Sequence, residues 1–349
     1  MKKNLFLLGV TLIFCTLLAE AVYRYQGYYI SYNERSSGGD YVSPFETREE
    51  WGYGWYNTPK PFTEITCNKE EFDYKWMSNN EGLRGENITI DKSGKRTLIF
   101  GDSFTEGMGA PDDSTYPQLL ENLIHKNLDS TAQVINCGPS GSDIFSEYKL
   151  FSDRMLKYQP DYVIVTFNST DLYEYTIRGG FERFKENNRV EYKKAPWFEP
   201  LYAKSYLVRM IVHDVFGYDY RFLRKKESEK TDSLAIQAVC SVIDSFSSLC
   251  KTNGCLFGMV FHPMYMEYPA EHYLNAPIIA YCEKTRIPYV DEYEFLARNG
   301  YRNIPPEIYW PRDGHFNSNG YELLAKCAFE LFTKNGWLTN TPPAIAKEE

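Results

Sequence analysis

The sequence is poor in histidine, and its positive charge is outweighed by negative. It holds five histidines in 349 residues, and none stands at ligand spacing from another. Its eight cysteines (Cys15, Cys67, Cys137, Cys240, Cys250, Cys255, Cys282 and Cys327) form no Cys-x-x-Cys pair, so no metal site is expected. Cys137, Cys282 and Cys327 read as small buried apolar residues. Cys250 and Cys255 flank a helix end and could pair in an oxidising compartment. The 38 Lys and Arg are outnumbered by 47 Asp and Glu, and the net charge of −9 argues against a nucleic-acid partner. The densest basic run, Arg221 to Lys230, is interrupted by Glu227 and Glu229 and reads as a solvated helix face. There is no Walker motif, no dinucleotide fingerprint and no internal repeat, and no cofactor is expected.

Apolar residues make up 43% and charged residues 24% of the chain, an ordinary balance for a protein that buries a core. Residues 1–24 differ from the rest. Lys2 and Lys3 precede a strongly apolar run from Leu5 to Leu18, and Ala19-Glu20-Ala21 follows. Residues 5–23 approach the ~20 residues of a membrane-spanning helix, so the segment reads as a signal anchor. Ala19-Glu20-Ala21 also fits a cleavage site, which would make it a signal peptide and the protein secreted. Either way the body of the protein is expected outside the cytoplasm, in the periplasm or cell envelope. Cys15 lacks the small residue expected before a lipidated cysteine.

Residues 25–95 show no clear helix and are rich in aromatics: Tyr41, Trp51, Tyr53, Trp55, Tyr56, Tyr74 and Trp76. They read as an irregular and β lead-in packed on the main domain. Their rings form either its small core or a sugar-stacking surface. From Arg96 strands and helices alternate. Strands are expected at 97–100, 133–136, 162–167, 256–262 and 288–290. Helices are expected at 115–127, 144–158, 233–251, 276–285, 292–299 and 320–335. Such alternation predicts an α/β fold with a parallel sheet and helices on both faces. Residues 172–230 interrupt it with a hairpin (178–184 and 190–193) and a short amphipathic helix (203–216), and are expected to form a wall or lid over the site. The main domain is placed at 96–337, followed by a tail at 338–349.

Ligands of open parallel sheets bind beyond the carboxyl ends of the strands. Ser103 falls at such an end, in Gly101-Asp102-Ser103-Phe104-Thr105-Glu106-Gly107, and so do Gly138 and Thr170. A serine hydroxyl needs a base to take its proton, and the base needs a carboxylate to fix its tautomer. Asp313-Gly314-His315-Phe316-Asn317, before the last helix, offers both. His262 ends a strand on the same side and could touch substrate. His125, His213 and His272 carry no motif, and Ser140 has no base beside it in the sequence.

These stretches resemble the SGNH (GDSL) hydrolases. Gly101 to Gly107 resembles their block I, Asn136-Cys137-Gly138-Pro139-Ser140-Gly141 their block II, and Asp313 to Asn317 their block V, in the family's order. The resemblance covers about Arg96 to Trp337. Asn79-Asn80-Glu81-Gly82-Leu83-Arg84-Gly85 is similar to the lead-in of membrane-tethered bacterial members. Block V has one residue between Asp313 and His315 where many members have two. Block III, Gly-x-Asn-Asp in the family, reads Asn168-Ser169-Thr170-Asp171 here, so either the Thr170 hydroxyl or the Asn168 amide stands for the oxyanion asparagine. The resemblance implies a three-layer α/β/α fold with a flavodoxin-like sheet. It also implies a Ser103–His315–Asp313 triad and an oxyanion hole of Ser103, Gly138 and Thr170 or Asn168, with Asp102, Asp171 and His262 near substrate. The expected activity is hydrolysis of acyl esters, short-chain and including carbohydrate O-acetyl esters. The alternatives are an O-acyltransferase that passes the acyl group to a polysaccharide, and a non-catalytic glycan-binding protein on the same fold.

Overall fold

The computed structural model describes residues 2–27, 29, 41–45, 58–185, 189–267, 273–301 and 307–338. His272, Trp51, Tyr53, Trp55, Tyr56 and nearly all of the 338–349 tail lie outside them. The chain divides into two compact units. One comprises Met1–Thr47, Thr176–Gly179 and Tyr192–Leu234; the other comprises Arg48–Tyr175, Gly180–Glu191 and Ala235–Glu349.

In the first unit the apolar N-terminal run forms one helix, Lys2–Gln26, with no buried residue. It is long and apolar enough to cross a membrane. The amphipathic helix expected at 203–216 is in fact two helices, Glu199–Lys204 and Tyr206–Met210, followed by a π-helical turn, Ile211–Val215. The break at Ser205 has a physical cause. The Glu20 carboxylate accepts bonds from the Ser205 hydroxyl (2.7 Å) and from the N–H groups of Tyr206 (3.1 Å) and Leu207 (2.9 Å). These bonds stop one helix and start the next, since the first N–H groups of a helix need outside acceptors. Tyr202, Val212 and Phe222 form this unit's core.

The second unit opens with an antiparallel pair, β1 (Glu64–Asn68) and β2 (Asp73–Met77), in the lead-in. Trp76 is buried, and the Arg84 guanidinium lies over Tyr74 (4.8 Å) and Trp76 (5.8 Å), so these two rings serve internal packing. A five-stranded parallel sheet follows: β3 (Arg96–Phe100), β4 (Gln133–Cys137), β5 (Tyr162–Phe167), β6 (Leu256–Phe261) and β7 (Tyr289–Asp291), in the order β4-β3-β5-β6-β7. This is the flavodoxin-like order, in which connections run outward to opposite sides of a switch point between β3 and β5.

Strand alternation separates two cores. Leu98, Phe100, Val163, Val165, Phe257 and Met259 face one side, where Val239, Ile243 and Phe246 of the helix Lys225–Asn253 cover them. Ile99, Ile164, Val260 and Val290 face the other, under Leu120 and Ile124 of the helix Tyr116–Asn127 and Leu324, Ala328 and Leu331 of the helix Ser318–Asn335. The result is three layers.

Several local expectations change. β7 lies one residue later than expected. The 144–158 helix passes through a π-turn at Phe151–Met155 and a 3-10 turn at Leu156–Tyr158. The 233–251 helix starts at Lys225, because its Lys- and Glu-rich lead is helix-forming and Glu227 accepts the Arg224 N–H. The hairpin expected at 178–193 is short: one antiparallel bridge, Phe184 to Val190, flanked by the Glu191 N–H donating to the Arg183 carbonyl (2.9 Å) and the Lys185 N–H to the Arg189 carbonyl (2.8 Å). Cys250 and Cys255 are free thiols, and Cys255 Sγ donates to the Cys250 carbonyl at 3.5 Å.

Candidate active site

β3 runs without a polar residue from Leu98 to Phe100 and stops at Gly101. Asp102 then caps a one-turn helix, Ser103–Glu106, its Oδ1 accepting the Phe104 N–H at 2.9 Å. Gly107 ends that turn at φ +93°, where a side chain would also strike Thr115 Cγ2 at 2.4 Å. Arg84, almost fully buried, holds the end of the turn by donating to the carbonyls of Gly107 (2.9 Å) and Ala110 (2.8 Å) and to Asp112 (2.8 Å). Ser103 is thus the first residue of a fixed turn. Among the described residues, its N–H meets no acceptor.

Across from it, the chain before the last helix folds back on itself. Trp310 N–H donates to the His315 carbonyl (2.8 Å) and Gly314 N–H to the Trp310 carbonyl (2.7 Å), while Tyr309 bridges to Phe316. This turn aims His315 at Ser103: Ser103 Oγ lies 2.7 Å from His315 Nε2. His315 Nδ1 is bonded to Asp313 Oδ1. The Phe104 ring packs 4.7 Å from the imidazole, centroid to centroid, and limits its tilt. Asp313 is 7% exposed. Burial works to raise its pKa, but the His315 bond and charge, together with Lys69 at 4.0 Å, outweigh it and hold the carboxyl below the ordinary range. A carboxylate fixed on Nδ1 leaves Nε2 free to accept the serine proton.

The expected oxyanion residues surround the turn, but most of their donors are engaged. Gly138 packs so closely on Thr105 that a Cβ would lie 2.5 Å from Thr105 Cβ, which explains glycine there. Its N–H donates to Asn136 Oδ1 at 3.0 Å. The Thr170 hydroxyl donates to Asn168 Oδ1 at 2.6 Å, and its N–H does so at 2.9 Å. The Asn168 amide donates to Asp102 Oδ2 (3.0 Å) and lies 3.2 Å from His262 Nε2. Asn168 therefore ties together the ends of β3, β5 and β6.

The residues expected near substrate all make internal contacts. His262 is fully buried, and its Nδ1 donates to the Pro263 carbonyl at 3.1 Å, which leaves Nε2 to accept from Asn168. Burial pushes its pKa down to about 4, so it is neutral at pH 7. Asp171 is buried and accepts the Ile144 N–H at 2.6 Å, pinning the start of the next helix. Asp102 is half-buried, and its two oxygens serve Phe104 and Asn168. Ser140, in the block II turn, presents its N–H to Glu106 Oε2 at 3.0 Å. Among the described residues no cluster of three or more His, Cys, Asp or Glu is placed to hold a metal ion.

Three further residues, none given a role of its own in the sequence, act as supports. Glu81 binds Arg154 (2.6 Å), Lys157 (2.7 Å) and the Tyr158 hydroxyl (2.6 Å). Glu81 thus ties the Asn79–Gly85 stretch to the turns at 154–158, while Arg84 ties it to the end of the serine turn. Asn136 holds the Gly138 N–H. Glu71, in the β1–β2 turn, accepts the N–H groups of Arg312 (2.9 Å) and Asp313 (2.7 Å).

The model of the GDSL-like Lipase/Acylhydrolase family matches residues 99–323. The chain belongs to that family, within the SGNH hydrolases. No match was found among curated proteins. Among solved structures, a two-domain esterase (CEX) active on acetylated mannans is 14% identical with a TM-score of 0.44, covering 73% of this chain and 52% of that one. This chain thus spans about half its length. LAE5, an α/β hydrolase enzyme from the metagenome of Lake Arreo, Spain, is 17% identical with a TM-score of 0.42, covering 72% and 99%. A mutant of Axe2, an acetylxylan esterase from Geobacillus stearothermophilus, is 15% identical with a TM-score of 0.41, covering 70% and 96%.

Proposed function

We propose that this protein is an extracytoplasmic serine esterase that cleaves short-chain acyl esters, carbohydrate O-acetyl esters among them, through Ser103, His315 and Asp313. The observation that carries the reading is the 2.7 Å contact of Ser103 Oγ with His315 Nε2, with Asp313 on the other ring nitrogen. His315 takes the Ser103 proton as Oγ bonds to the ester carbonyl carbon. The tetrahedral oxyanion meets the Ser103 N–H first. The Gly138 N–H and the Asn168 amide join by exchanging Asn136, and Asp102 or His262, for the oxyanion. As the tetrahedral centre collapses, the ester C–O bond breaks and His315 returns the proton to the departing alcohol oxygen. Water, deprotonated by His315, then bonds to the acyl carbon; as the acyl–Oγ bond breaks, His315 returns the proton to Ser103 Oγ and the acid is released. Asp313 orients the imidazole and offsets its charge in both steps.

The helix Lys2–Gln26 is assigned as a retained membrane anchor. Its support is the Glu20 carboxylate, which serves three donors of the 205–207 turn and would be lost by cleavage after Ala21. The experiment is a fluorophosphonate probe on the full-length protein in detergent, with a screen of p-nitrophenyl esters and acetylated oligosaccharides. Labelling at Ser103 with release of free acid supports the esterase. Appearance of the acyl group on an added sugar identifies a transferase. Absence of labelling in folded protein overturns the catalytic reading.

A further inference from the structure

The β1–β2 turn is closed by Lys69 N–H donating to the Phe72 carbonyl at 2.9 Å, and each of its four residues reaches the loop that carries Asp313. Glu71 Oε2 accepts both the Arg312 and the Asp313 N–H. Glu70 pairs with the Arg312 guanidinium. Lys69 Nζ stands 4.0 Å from Asp313 Oδ2, the oxygen that His315 does not use. The Phe72 ring packs 5.4 Å from Trp310, whose indole N–H donates to the Gly109 carbonyl at 3.1 Å. The loop 310–315 is thus held on one side by the serine segment and on the other by this turn.

We propose that the β1–β2 turn is the positioning element of the Asp313–His315 pair, with Glu71 fixing the backbone of Asp313 and Lys69 supplying a cation to its second oxygen. The inference rests on the catalytic reading above. Glu71 and Lys69 are positioning residues: they touch Asp313 and not the reacting atoms. Two peptide N–H groups on one carboxylate oxygen leave the Asp313 backbone little freedom, and a small misplacement of a catalytic group is costly in rate. The two charges act on the imidazole in opposite senses. Lys69 favours the ionised carboxylate and disfavours imidazolium; the Glu71 carboxylate favours imidazolium. The other ionisable groups around the pair are Cys67 on β1, Asp102 and Glu106 in the serine turn, and His262 behind Phe104. None of them differs between the variants below.

The test uses the full-length protein in detergent and two readouts: the pH profile of kcat/KM, and the titration of His315 by imidazole 15N NMR, which needs no turnover. Lys69→Met removes a cation and is expected to raise the His315 titration and the acid limb of the profile by a few tenths of a pH unit. Glu71→Gln keeps an acceptor for the two N–H groups, removes the anion, and is expected to move both downward. Glu71→Ala, which leaves both N–H groups without an acceptor, is expected to lower kcat by about ten- to a hundredfold, and Glu71→Gln is expected to restore most of that loss. Shifts of the same sign in Lys69→Met and Glu71→Gln, or no shift in either, overturn the proposal. So does an equal loss of kcat in Glu71→Ala and Glu71→Gln. Opposed NMR shifts in a protein without esterase activity would uphold the positioning element and overturn the catalytic reading alone.

Discussion

The ends of β3 and β5 lie side by side in the sheet, with Phe100 opposite Val165, and both stop in the same way. Each strand is wholly buried and gives way to an Asp or Asn whose side chain accepts the N–H two residues on: Asp102 from Phe104, Asn168 from Thr170. The outcomes differ. At β3 the cap consumes the Phe104 N–H and leaves Ser103 with an N–H that meets no acceptor among the described residues and a hydroxyl on His315. At β5 the amide of Asn168 is spent on Asp102 and His262, the Thr170 hydroxyl on Asn168, and the Asp171 carboxylate on Ile144. One device yields the end proposed to react and an end that supports it. What separates them is whether a neighbouring strand supplies partners for the polar groups.

The largest expected effect lies at the β3 end. Ser103→Ala and His315→Ala should each reduce kcat by a factor on the order of 10⁴ or more, and the double variant should be little worse, because the two act as a unit. Purified variants assayed on a p-nitrophenyl ester check this. A Ser103→Ala protein with near-parental activity would remove the distinction between the two ends.

Asn168→Ala should cost about 10²–10³ in kcat. It removes a donor that can turn to the oxyanion and cuts the link between Asp102 and His262. A loss under tenfold would make the β5 end a scaffold alone. The same link has a pH signature. His262 is held at about 4 by burial, below the ~6.5 of an unfolded histidine. Its neutral form therefore adds stability that is fully present above pH ~6.5 and is lost as the pH falls toward 4. Thermal unfolding followed over that window should show the melting temperature dropping as acid is added, with a shallower slope in His262→Gln. Equal slopes would show that other groups govern the window.

How much of this was readable differs along the chain. β3 and β5 are continuous apolar runs, and their burial on both faces is what makes such runs recognisable. Ser103, Asp313 and His315 were readable as residue types in motifs, although 212 positions separate the serine from the histidine. The occupancy of the β5 donors was not. Nothing in Asn168-Ser169-Thr170-Asp171 says that Asp102 and His262 will take the amide, because those partners arrive from other strands. Glu71 was equally silent, an acidic residue in a charged turn whose partners lie 241 and 242 positions away. The helix break at Ser205 depends on Glu20, 185 positions earlier. Local pattern encodes strands and caps, whereas long-range polar pairing decides which groups remain free.

The smallest expected effect is the sharpest test of the comparison. The Thr170 hydroxyl stands where the family has its asparagine donor, yet at 2.6 Å it gives its proton to Asn168 Oδ1. Thr170→Val keeps the β-branched shape and removes only that bond, and Asn168 Oδ1 still accepts the Thr170 N–H at 2.9 Å. The loss of one neutral hydrogen bond with the acceptor otherwise satisfied is worth about 1 kcal/mol. If it acts only by loosening the Asn168 amide, kcat should fall by no more than about fivefold, which is that energy expressed as a rate. The assay is kcat on the same ester, beside Asn168→Ala in parallel. A loss of about 10² or more in Thr170→Val with folding intact would mean that the hydroxyl leaves Asn168 to meet the oxyanion. The β5 end would then be a second reactive end, poised like the first and only resting in its supporting state.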